Sequence, residues 1–134
     1  MTEEATEGGC LCGAVRYRAL GAPSGPSAFC HCRSCRMATG APITAWVTFL
    51  SEKFSFTVGQ PIRFRSSPEV IRTFCGACGT SLTYNRYGRQ TIDVTTPSLD
   101  NPEAFAPTAH VFTSHALSWV HINDQLLTFK EWGP

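Results

Sequence analysis

The sequence has no apolar run near the length needed to cross a bilayer, so no membrane-spanning helix is expected. Its amino end, Met1-Thr2-Glu3-Glu4-Ala5-Thr6-Glu7, lacks both a basic stretch and an apolar stretch. That argues against export and predicts a cytoplasmic chain with reduced thiols. Charge is scarce as well. Charged residues make up 16% of the chain and the formal net charge is +1, so no global field draws it to nucleic acid or to an anionic membrane. Lysine is almost missing: Lys53 and Lys130 stand alone, and the other basic residues are arginines. Arginine's planar fork pairs carboxylates and phosphates bidentately, so the bias fits recognition of such groups as well as a solvated face. There is no long helical period, no low-complexity tract and no repeat beyond clusters of cysteine, which leaves helical bundles and solenoids without support.

What the sequence does have is sulfur. It holds seven cysteines, an odd number that no complete disulfide framework accommodates. They fall into two pairs, Cys10/Cys12 and Cys75/Cys78, and one triplet within Cys30-His31-Cys32-Arg33-Ser34-Cys35-Arg36. Thiolates are soft ligands, and zinc takes four of them in a tetrahedron at about 2.3 Å. The two pairs together close such a site. The triplet leaves one corner open, and an open corner is where chemistry happens. Counting alone also allows a mixed arrangement, with Cys10/Cys12 joining part of the triplet. Each pair is followed by a glycine, Gly13 and Gly79, which permits the positive φ of a tight metal-gripping turn. The two ions would be zinc, one per sulfur group.

The chain is long enough for one domain that buries roughly two-thirds of its unfolded surface. Residues 1–8 read as a flexible tail and residues 9–134 as a single zinc-binding domain. Short alternating runs point to a mainly β fold. Val15 and Tyr17 alternate with Arg16 and Arg18. Gly21 to Ser27 reads as a loop, Ser27 to Cys32 as extended, and Arg33 to Thr39 as a helical turn or two. Ile43 to Leu50 is a buried strand. Phe54 to Val58 and Ile62 to Phe64 flank Gly59-Gln60-Pro61 and predict a hairpin. Val70 to Phe74 delivers Cys75, and Leu82 to Tyr84 with Ile92 to Val94 form a second hairpin. Pro97 to Pro107 is loop. Ala109 to Phe112, Ser118 to Ile122 and Leu126 to Phe129 are the last strands.

Around the open corner, His31 is a fourth ligand, a proton shuttle or neither. In an extended segment its ring points opposite to Cys30 and Cys32. Arg33 and Arg36 are placed to pair with substrate carboxylates or to sit on an exposed turn. His110, His115 and His121 are further candidates for completing the tetrahedron. Three thiolates and Zn²⁺ sum to a formal charge of about −1, which suits capture of an incoming thiol. The chemistry expected is the making or breaking of a carbon–sulfur bond, with a small-molecule thiol as partner. The competing reading is a non-catalytic zinc module that binds another macromolecule.

Three stretches resemble the signatures of the glutathione-dependent formaldehyde-activating family: Gly9-Cys10-Leu11-Cys12-Gly13-Ala14-Val15-Arg16-Tyr17, Cys30 to Arg36, and Phe74-Cys75-Gly76-Ala77-Cys78-Gly79-Thr80. His110-Val111-Phe112 through Trp119, and Phe129-Lys130-Glu131-Trp132, resemble its ending. The resemblance implies a mainly β "tent" fold with zinc-ribbon-like sites. It implies a structural zinc on Cys10, Cys12, Cys75 and Cys78, and a second zinc on Cys30, Cys32 and Cys35 whose open position faces substrate. It implies a lyase activity that interconverts S-hydroxymethylglutathione with glutathione and formaldehyde. The family's centromere protein V branch keeps the non-catalytic module as the alternative. Metal analysis of the purified protein is expected to find zinc on the paired cysteines; an intact fold without it removes that assignment.

Overall fold

Apolar and polar side chains alternate along short β-branched and aromatic runs, which dictates strands with one buried face. The computed structural model, which describes residues 4–132, arranges them in two sheets. The smaller runs β1-β2-β5, from β1 (Ala5–Gly9), β2 (Arg16–Leu20) and β5 (Phe54–Val58), all antiparallel. The larger runs β11-β10-β3-β4-β9-β8-β7-β6. Its strands are β3 (Ala28–Cys30), β4 (Thr44–Leu50), β6 (Ile62–Ser67), β7 (Val70–Phe74), β8 (Ser81–Arg86), β9 (Thr91–Thr95), β10 (Ala109–Val111) and β11 (Leu127–Thr128). All its neighbours are antiparallel except β10, which lies parallel to both β3 and β11. The helix α1 (Arg33–Thr39) ends on Gly40 at φ 72°.

The core lies between the sheets. Tyr17, Ala19, Phe54 and Phe56 from the small sheet meet Val47, Phe49, Ile92 and Val94 from the large one. The Tyr17 ring stacks on Phe54 with centroids 5.4 Å apart, and its hydroxyl finds Ser98 Oγ at 2.6 Å. Strand alternation then sends the intervening residues of the large sheet, Thr48 on β4 and Asp93 on β9, to the opposite face. That face lines a cleft.

A mainly β single domain is what the alternation predicted. Three local expectations are corrected. Residues 5–8 are not a tail: Ala5–Gly9 pairs along its length with β2, from Ala5 opposite Leu20 to Gly9 opposite Arg16. Backbone bonds hold this edge strand, so it needs few apolar side chains; residues 1–3 lie outside the described residues. The hairpin around Gly59-Gln60-Pro61 does not form. β5 pairs with β2 and β6 with β7, so this turn carries the chain from one sheet to the other. Ser118 to Ile122 forms no strand; Val120 N–H closes a turn on the Leu117 carbonyl, and Trp119 is 65% exposed. The loop at Pro97 to Pro107 is drawn in by short 3-10 turns at Thr96–Ser98 and Pro102–Phe105.

Gly59 makes the crossing possible. Its φ is +69°, and a Cβ there would collide with the Ala14 carbonyl next to the first cysteine turn. Replacing Gly59 with valine is expected to lower stability in denaturant by about 2 kcal/mol, from backbone strain together with that collision.

Candidate functional site

Four sulfurs on one tetrahedral ion at 2.3 Å stand about 3.8 Å apart. The Cys10 and Cys12 sulfurs are 3.6 Å apart and those of Cys12 and Cys75 are 3.8 Å apart; all four, with Cys78, lie within 4.8 Å of one another. These spacings are far beyond a disulfide's roughly 2.05 Å. They fit a zinc ion held by four thiolates. The two turns are built for it. Gly13 and Gly79 take φ of +82° and +81°. Backbone N–H groups of Ala77 and Cys78 donate to Cys75 Sγ at 3.3 and 3.4 Å, and Val15 N–H to Cys10 Sγ at 3.2 Å. Thr80 joins the pairs, accepting from Leu11 N–H at 3.1 Å and lying 3.3 Å from Cys78 Sγ. The Thr80 hydroxyl, with the Thr80 N–H behind it, pulls the Cys78 thiol down to about 5.

The triplet forms the second group. Cys30 ends β3, and Cys32 caps α1 by accepting Cys35 N–H at 3.3 Å, which brings Cys35 beside it. The three sulfurs lie within 4.8 Å of one another. The surrounding donors favour a charged sulfur. Cys30 and then Cys35 hold the Cys32 thiol far below the usual range, to about 2, helped by the Cys35 N–H and the charge of Arg72. The same partnership with Cys32 pushes Cys30 up. Such a set of donors fits a cation that takes all three as thiolates.

The triplet lines a cleft of about 1070 Å³. Trp46, Tyr84, Phe112 and Trp132 give it aromatic walls. Arg72, on β7, reaches in from the side. Its Nη2 and Nη1 lie 3.8 and 4.0 Å from Cys35 Sγ, and its guanidinium sits 5.0 Å over the Tyr84 ring. Arg72 is 9% exposed and its Nε has no partner. Among the described residues it has no carboxylate within salt-bridge distance.

The sequence-based candidates divide. All seven cysteines converge, in the four-plus-three grouping. Arg33 lines the cleft, with its N–H donating to His115 Nδ1 at 3.3 Å, and His115 lines the cleft too. Arg36 is half-buried and lies outside the cleft lining. His31 is fully buried and its ring turns away from the thiols: Nε2 meets His110 Nδ1 at 2.8 Å, and His110 Nε2 meets Asp124 Oδ2 at 2.8 Å. Burial, then the neighbouring His110, lowers the His31 pKa. His121 is exposed and apart from the cleft. No histidine joins either sulfur group among the described residues. Sequence reasoning missed Arg72 and Asp93. Each is a single charge inside an apolar strand, Val70-Ile71-Arg72-Thr73-Phe74 and Ile92-Asp93-Val94, and that interruption was the available signal.

Removing a cation that faces a ligating sulfur weakens metal retention. Arg72→Met is expected to lower the zinc affinity of the triplet roughly tenfold in a chelator competition. The quartet serves as the internal control and keeps its ion.

Comparisons place this architecture among known proteins. A crystal structure of a Rhodobacter sphaeroides protein shares the fold, with a TM-score of 0.59 over 92% of this chain and 98% of that one at 18% identity. A Schizosaccharomyces pombe (strain 972 / ATCC 24843) protein called "Uncharacterized lyase C29B12.13" is 33% identical over 79 residues, 58% of this chain. The match spans 56% of that relative's length. The family model described as "Glutathione-dependent formaldehyde-activating enzyme" matches residues 5–115, a span that contains both sulfur groups. The chain belongs to the glutathione-dependent formaldehyde-activating family.

Proposed function

We propose that the protein is a zinc-dependent carbon–sulfur lyase for thiol–aldehyde adducts, with S-hydroxymethylglutathione or a close relative as substrate. The observation that carries this reading is the asymmetry of the sulfurs. Cys10, Cys12, Cys75 and Cys78 can complete a tetrahedron, whereas Cys30, Cys32 and Cys35 supply three corners and line a cleft. When bound by the triplet, zinc supplies a soft Lewis acid that depresses the pKa of an incoming thiol.

The chain's own residues provide the rest. The three thiolates leave the ion's surroundings at a formal charge of about −1, and a substrate thiolate adds another negative charge. Arg72 offsets that charge from 3.8 Å, in a buried position where the screening of water is weak. The aromatic walls give the adduct an apolar surface beside the triplet. As the carbon–sulfur bond breaks, its electron pair stays on sulfur and the adduct's hydroxyl loses a proton to become formaldehyde. That proton leaves to water in the cleft. His31 does not take it, because its ring turns to His110. Nor does His115 at Nε2: its Nδ1 accepts the Arg33 backbone N–H, so the neutral ring already carries its proton on Nε2. Arg33, at the rim beside it, is positioned to meet a substrate carboxylate.

The test mixes the zinc-loaded protein with glutathione and formaldehyde and follows adduct exchange by NMR against the spontaneous rate. Acceleration by the native protein, lost in Cys35→Ser with the quartet's zinc retained, is the expected result. A rate equal to the spontaneous one with both ions in place leaves the non-catalytic module as the better reading.

A further inference from the structure

The cleft face of the large sheet carries a straight row across five strands. Phe64, Arg72, Tyr84, Asp93 and Thr48 are successive cross-strand partners on β6, β7, β8, β9 and β4. All five line the cleft. Two of them are charged, and they do not neutralise each other. Arg72 and Asp93 stand two strand spacings apart, about 9.6 Å, with Tyr84 between them. Arg72 is directed at Cys35. At the other end, Thr48 Oγ1 donates to Asp93 Oδ1 at 2.6 Å. That bond occupies one oxygen. No arginine or lysine lies within salt-bridge distance of Asp93 among the described residues. Burial lifts the Asp93 carboxyl above the usual range, and Arg89 opposes this only through space. Arg89 itself is engaged with the Trp132 ring at 4.6 Å.

A carboxylate in a desolvated place is costly unless a cation completes it. The fold supplies a hydroxyl in contact and, among the described residues, no cation within salt-bridge distance, and it opens the site to a cleft. We infer that Asp93 is a specificity-determining residue that binds the primary ammonium group of a peptide-sized thiol. With sulfur at the triplet beside the Arg72 guanidinium and Asp93 two strands from Arg72 on the same cleft face, the ligand carries its ammonium several bonds from its sulfur, as a small peptide thiol does. Trp46 and Tyr84, with ring centroids 6.1 Å apart, wall the same region and suit a cation held over aromatic surface. Thiols without an ammonium at that reach leave Asp93 uncompensated. The inference deepens the lyase reading and rests on it, because it takes the triplet as the place where sulfur binds.

Isothermal titration calorimetry on the zinc-loaded full chain tests it, with glutathione and N-acetylglutathione as the probes. The native protein is expected to bind glutathione at least about tenfold more tightly than the acetylated form. Asp93→Asn is expected to erase that ratio by weakening glutathione, while leaving the acetylated form within about twofold of its native affinity. Equal binding of the two thiols to the native protein, a comparison that needs no variant, overturns the inference and leaves the lyase reading standing. So does a preference that survives in Asp93→Asn. Binding of neither thiol sinks the lyase reading and the inference together.

Discussion

Thiols crowded to less than 4 Å without a bond between them repel once ionised, and a shared cation is what resolves the repulsion. In this chain Cys12 and Cys75, 63 residues apart, sit 3.8 Å from each other. The turn after β1 and the turn after β7 bring these sulfurs together. Because one pair leaves the small sheet and the other leaves the large sheet, an ion held there would clip the sheets over their shared core. Cys10 and Cys75 are counted in that core alongside Tyr17, Phe49 and Val94. An ion bound there would add its binding energy to folding, because the preformed site does not exist in the unfolded chain.

The large sheet serves two purposes because its side chains alternate. One face is fully committed to burial, with Val47, Phe49 and Val94 at 0% exposure. The other face floors the cleft, and that is where the chain tolerates groups a core would reject. Arg72 and Asp93 each interrupt an apolar strand, which is expensive if the site stays empty and useful if a ligand supplies the missing charge. The triplet lies at one side of this floor. Cys30 is delivered by β3, and Cys32 and Cys35 by the first turn of α1, so two kinds of element fix three sulfurs.

The histidines organise the reverse side of the same region. The chain from His31 through His110 to Asp124 ties β3 to β10 and then to the turn before β11. The Phe29 ring stacks on His110 with centroids 4.9 Å apart, and the Phe129 N–H returns to the His110 carbonyl at 2.8 Å. His31 stands between two cysteines of the triplet and still takes no part in the cleft, because successive residues of an extended segment point to opposite sides. Its contribution is positional. It anchors from behind the backbone that presents Cys30 and Cys32 in front.

The spacing of the cysteines, the glycines that follow them and the two-residue alternation determined a mainly β chain with two sulfur groups. These features are local, and local chemistry can be read from neighbours in sequence. The helix at Arg33–Thr39 and the β8–β9 hairpin were legible for the same reason. The switch of sheets at Gly59 was not, since a short turn between two alternating runs looks like a hairpin until the partners of each strand are known. Nor was the strand at Ala5–Gly9, whose stability comes from a backbone ladder with β2 and not from its own side chains. Above all, only the tertiary structure put Arg72 beside Cys35 and set Asp93 two strands away on the same face. Strand order and register create that row, and both depend on long-range pairing that no single stretch of sequence encodes.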